Sequence, residues 1–110
     1  MNGKPKESDW KHYSGMIEFL KERYLKERNQ KLNEILTDSK RTATDQFWDT
    51  LEEMKKEKKV LQDCLDPHSR SNMYFSMCLM LRHGMLKESD LEGFSEELQE
   101  QLTNHLKMKL

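Results

Sequence analysis

β-Branched aliphatic residues are nearly missing from this chain of 110 residues, which has two isoleucines and one valine against fifteen leucines. Strands favour β-branched and aromatic side chains, which pack on a pleated surface, whereas Leu, Met, Glu, Lys and Gln lose little rotamer freedom in a helix. Only four glycines and two prolines interrupt the helix formers. The shortage excludes a sheet, and the fold class is all-α.

Other shortages bound the function. No run approaches the roughly 20 apolar residues of a membrane span, and residues 1–6 hold no apolar signal core. The two cysteines, Cys64 and Cys78, stand in apolar contexts without metal-ligand spacing. Free buried thiols of this kind fit a reducing compartment, so a cytoplasmic location is the expectation. Apolar residues make up 35% of the chain, below the usual ~45–50%, and the mean hydropathy is −1.02. The net charge of −1 leaves little self-repulsion, and the apolar residues are periodic, so an ordered domain with a thin core is expected. A thin core favours additional burial against a partner or a second copy.

The apolar periodicity defines four helical segments. Residues 1–7 read as a flexible tail, and 8–110 as a single helical domain. Ser8 or Asp9 can cap a first helix with Trp10, Tyr13, Ile17, Leu20 and Tyr24 at three- and four-residue spacing; Ser14-Gly15 is a candidate break. Unbroken to Leu36, this helix would span ~43 Å and protrude from a globule of this length. Residues 37–42 form a polar connector. A second helix follows from Thr42 or Thr44 to about Leu65, with Phe47, Leu51, Met54, Leu61 and Leu65 as its expected seam, flanked by Trp48, Val60 and Cys64. Acids in its first half and lysines in its second complement the helix dipole. The first two helices should form a long antiparallel hairpin, with Arg28 near Glu52.

One stretch is not polar at all. Residues 73–81, Met-Tyr-Phe-Ser-Met-Cys-Leu-Met-Leu, lie between Asp66-Pro67, an N-cap with proline at the first helical position, and Gly84, a left-handed C-cap. At about 100° per residue this third helix is apolar on three stripes and polar only along Ser69, Asn72, Ser76 and His83. Such a helix must be central and buried, or must lend one stripe to an interface. Met73, Met77 and Met80 form the candidate interface stripe, because Met is adaptable and frequent at binding surfaces. A last segment begins with Ser89 and Glu92 as a capping box. Gly93 divides it from a helix capped by Ser95, whose buried stripe is Leu91, Phe94, Leu98, Leu102 and Leu106. The architecture is a compact bundle of about four helices.

Catalytic and ligand motifs are absent. No Glu stands three residues before His12, His68, His83 or His105, so the carboxylate-bridged metal pattern of helical bundles is missing. There is no calcium loop, no glycine-rich phosphate loop and no controlled nucleophile–base pair. No cofactor, metal or catalytic residue is implied. His68, Ser69 and Arg70 in the first turn of the third helix form a candidate anion site, where free backbone N–H groups point outward. Glu88, Asp90, Glu92, Glu96, Glu97 and Glu100 form a candidate acidic surface for a basic partner. The first helix carries Lys21, Arg23, Lys26, Arg28 and Lys31 interleaved with acids, which suits an ion-paired face better than a phosphate-binding one. The expected function is that of a small non-catalytic interaction or regulatory protein, acting on a protein partner or as a homodimer. A nucleic-acid-associated protein using the basic first helix is the alternative, and an enzyme or small-ligand protein is favoured least.

Overall fold

In the computed structural model, residues 5–108 are described. They fold as four α-helices, α1 (Glu7–Leu36), α2 (Ala43–Leu65), α3 (Met73–His83) and α4 (Glu96–Met108), with 3-10 segments at Arg70–Asn72 and Glu88–Gly93. No strand occurs among the described residues, and the all-α bundle expected from composition is what forms. Residues 1–4 of the expected tail lie outside the described residues, and Glu7 already belongs to α1.

The helix α1 runs unbroken through Ser14-Gly15, because a single glycine on an exposed face costs only about 1 kcal/mol and the helix is held on both sides of it by buried Tyr13 and Leu20. At 30 residues it is ~45 Å long. The molecule is accordingly 52 Å in its longest dimension, with a radius of gyration of 16.6 Å, against ~13 Å for a sphere-like domain of this length. Neither Ser8 nor Asp9 caps α1; Lys6 occupies that position. The helix α2 starts as expected, with the Thr42 hydroxyl accepting the Asp45 N–H at 3.0 Å.

The α-helical part of α3 begins later than Asp66-Pro67 suggests. Asp66 instead closes α2, donating its N–H to Gln62. His68 stacks on Trp10 and Tyr13, with ring centroids 4.8 and 5.6 Å apart, which draws this connection across α1. Asn72 then ties the turn together, donating to the Pro67 carbonyl at 3.2 Å and to the Ser76 hydroxyl at 2.9 Å. The far end of α3 is as expected, with Gly84 in the left-handed region at φ +81°. The 88–93 segment is a 3-10 turn in which Asp90, rather than the expected Ser89–Glu92 box, accepts the Lys87 N–H at 2.7 Å. Ser95 caps α4, its hydroxyl accepting the Leu98 N–H at 3.3 Å.

The core gathers Tyr13, Leu20 and Tyr24 of α1, Cys64 of α2, six residues of α3 and the next turn (Met73, Met77, Cys78, Met80, Met85, Leu86), and Leu91, Phe94, Leu98 and Leu102. All of these lie at one end of the hairpin. The other end, beyond about Glu27 on α1 and Lys56 on α2, consists of the two helices alone.

Candidate functional site

The methionine stripe of α3 is covered from within the chain, whereas Phe75, on another stripe of the same helix, is 59% exposed. Met73, Met77 and Met80 are 1%, 0% and 0% exposed, so their assignment as an interface stripe is corrected: they are core. Of the seam expected on α2, Leu61 and Leu65 pack against the core and Leu51 is half-buried, but Phe47 and Met54 stay outside, as does the flanking Trp48. Phe47 is 59% exposed, Trp48 57% and Met54 52%.

The cause is the side of α2 that meets α1. Thr50 and Cys64 are its buried residues. Glu53 reaches Lys31 at 3.2 Å, and Glu57 reaches Arg28 at 3.9 Å and accepts the Tyr24 hydroxyl. Arg28 therefore faces Glu57 rather than the neighbourhood of Glu52. Gln46, Thr50, Glu53, Glu57 and Cys64 recur at helical spacing just as Phe47, Leu51 and Met54 do, so two stripes competed for this seam. Polar residues won it because α1 presents Tyr24, Arg28 and Lys31 there, which a leucine-and-phenylalanine stripe would have left without partners. The polar seam moves Tyr24: burial and the adjacent Glu57 carboxylate push its phenol well above the ordinary value.

The covered and open faces of the hairpin can be told apart. On one flank, Arg23 donates to Asp90 at 2.5 Å and to the Met85 carbonyl at 3.1 Å, and Lys87 reaches Glu27 at 3.0 Å. His83 lies beside Lys55, Lys56, Lys59 and Val60. The end of α3 thus sits over Arg23–Glu27 and Lys56–Val60. At about 100° per residue, Leu25, Leu32 and Leu36 lie roughly half a turn round α1 from that flank, and Phe47, Leu51 and Met54 roughly half a turn round α2. Of these six residues, Leu36, Phe47 and Met54 are exposed, Leu25 and Leu51 are half-buried and Leu32 is buried, so the open part of this face is the free end of the hairpin. The Phe47 and Trp48 rings pack edge to face at 4.9 Å, making the patch continuous around α2. With roughly 150–250 Å² per aromatic side chain, the uncovered parts of Leu36, Phe47, Trp48 and Met54 amount to on the order of 400 Å². Patches of that size on a monomer are often binding surfaces.

The other candidates resolve differently. His68, Ser69 and Arg70 are brought together with Pro5, Glu7 and Trp10 around a surface hollow, but not in the first turn of an α-helix. Arg70 donates to Glu7 at 3.0 Å and lies over the Trp10 ring. The Arg70 guanidinium holds the Glu7 carboxyl below its ordinary range, so a carboxylate of the chain already occupies the place of an anion. This corrects the anion-site reading. Of the acidic run, Glu88, Glu92, Glu96, Glu97 and Glu100 are exposed. Asp90 is turned away from that surface: it is half-buried against Arg23, whose hydrogen bonds hold its carboxyl below the ordinary value. On α1, Lys21, Arg23, Arg28 and Lys31 each have a carboxylate within 4 Å. Among the described residues no cluster of three or more His, Cys, Asp and Glu side chains could hold a metal ion, and no helix is long and apolar enough to cross a membrane.

No known protein family, curated protein or solved structure matches the chain. The surface itself carries the functional reading.

Proposed function

We propose that the chain is a small non-catalytic interaction protein of the cytoplasm whose working surface is the open face of the α1–α2 hairpin. The observation that supports this is the exposure of Phe47, Trp48 and Met54 on the half of α2 whose seam with α1 is made by Thr50, Glu53 and Glu57. Keeping large apolar side chains in water while Thr50, Glu53 and Glu57 take the seam gains the isolated chain nothing. Burying them in a complex would gain ~25 cal/mol per Å² removed from water. The nucleic-acid reading has less support, because four of the five α1 cations on which it rests, Lys21, Arg23, Arg28 and Lys31, are engaged by carboxylates of the chain.

The test is retention of a tagged full-length chain's protein partners in its native host. The Phe47→Ser/Met54→Ser variant should lose them while its circular dichroism and unfolding midpoint stay those of the parent. Partners retained in full by that variant would sink the proposal.

A further inference from the structure

The flank of α2 nearest the end of α3 holds more positive charge than the chain balances. Lys55, Lys56, Lys59, Val60 and Asp63 of α2 and His83 of α3 line one open hollow of about 400 Å³. We infer that this hollow binds a compact phosphate-bearing anion, of the class of pyrophosphate or a nucleoside polyphosphate.

Placement is the first argument. Residues 55–59 read Lys-Lys-Glu-Lys-Lys, and Glu57 is drawn out of the run by Arg28 and Tyr24 of α1. At about 100° per residue, Lys55, Lys56 and Lys59 share a sector of α2 about 100° wide. Lys58 falls outside that sector and does not line the hollow. The fold adds His83 from a second helix.

Charge balance is the second. Lys55 and Lys59 are a like-charge i,i+4 pair, which destabilises a helix. Lys59 has Asp63 at 3.5 Å, but among the described residues neither Lys55 nor Lys56 has a carboxylate within 4 Å. The carbonyl end of α3 supplies the equivalent of about half a negative charge. Three lysines against Asp63 and that half charge leave roughly 1.5 positive charges unbalanced. Cations at the other helix contacts are answered: Arg23 by Asp90, Arg28 by Glu57, Lys31 by Glu53 and Lys87 by Glu27.

The borders of the hollow select its ligand. Glu52 and Asp63 lie in the same sector of α2, ~16 Å apart along the helix. A nucleic-acid strand or a lipid surface laid along α2 would press on both carboxylates, whereas a compact anion sits between them. A phosphate ester carries about −1.5 to −2 near pH 7, which matches the unbalanced charge, and lysine acts on phosphate as a point charge. The hollow lies more than about a third of a turn round α2 from Phe47 and Met54, so it is tested separately from the partner surface.

Calorimetric titration of the purified full-length chain with pyrophosphate is the test. One site should saturate with a Kd below about 1 mM at low salt. Lys55→Ala and Lys56→Ala keep the helix, since alanine is its best former, and each should weaken binding about threefold or more. Lys58→Ala, from the same run but outside the hollow, should leave the Kd within about twofold. Circular dichroism of each variant should match that of the parent. No saturation by about 5 mM pyrophosphate overturns the inference. So does a loss in Lys58→Ala as large as that in Lys55→Ala, which would mean diffuse attraction to the run rather than a site. Binding of a single-stranded oligonucleotide of about 20 residues that pyrophosphate does not displace would replace the ligand with a nucleic acid.

Discussion

The carboxylate of Asp9 accepts both polar hydrogens of Ser95, the backbone N–H at 2.8 Å and the hydroxyl at 2.7 Å. Ser95 in turn caps α4, so the first turn of α1 fixes the start of the last helix. Asp9 is 4% exposed, and its removal would leave a buried N–H and a hydroxyl without acceptors. Asp9→Ala is expected to cost about 2–4 kcal/mol in urea unfolding. A loss within about 0.5 kcal/mol would show that α4 docks without it.

Arg23 and Asp90 make the acid-sensitive contact. The folded-state pKa of Asp90 lies below the ordinary carboxyl value of 3.8, first because of its hydrogen bonds from Arg23. A group whose pKa is depressed on folding contributes stability above its unfolded value and loses that contribution as pH falls through its folded value. The pair therefore supports the fold above about pH 4 and fails below it. Asp90→Asn should flatten the acid limb of the stability–pH curve below pH 4; an unchanged limb would assign it to other carboxyls, such as Glu7 and Glu27.

Gly93 is needed for space rather than for backbone freedom. A Cβ there would stand 2.2 Å from Nε2 of His12, whose ring packs edge-on against Phe94 at 4.5 Å. Gly93→Ala should cost up to about 1 kcal/mol, the strain of turning the exposed His12 ring aside, and His12→Ala in the same chain should recover most of it. A double-mutant cycle without coupling would contradict the contact.

Thr50 is the weak point of the hairpin seam. Its hydroxyl is buried without a hydrogen-bond partner. Thr50→Val keeps the shape and removes the unpaired oxygen, so it should raise stability by about 1 kcal/mol. A lowered midpoint would mean that the hydroxyl is satisfied in solution.

Much of the bundle is legible in the chain. The boundaries of α2, the Gly84 and Ser95 caps and the buried stripe from Leu91 to Leu102 follow from local chemistry that needs no tertiary knowledge. The burial of α3 is legible only in part, since three apolar stripes left open which of them meets the core; the methionines do, and Phe75 stays exposed. The hairpin seam is not. Two stripes of α2, Phe47–Leu51–Met54 and Thr50–Glu53–Glu57, have equal helical spacing, and apolar content favours the first. The decision came from α1, where Tyr24, Arg28 and Lys31 needed carboxylates opposite them. That pairing joins residues 22 to 33 positions apart and leaves no local mark. The candidate surface was hidden for the same reason: its residues read as core until the neighbouring helix was placed.

The central claim is that the methionines of α3 are core whereas Phe47 and Met54 of α2 are free. Urea unfolding of Met77→Ser and Met54→Ser side by side tests it most directly. Met77→Ser should lose about 2–5 kcal/mol or fail to fold, while Met54→Ser should stay within about 0.5 kcal/mol of the parent. Equal losses, or a larger loss at Met54, would contradict the account.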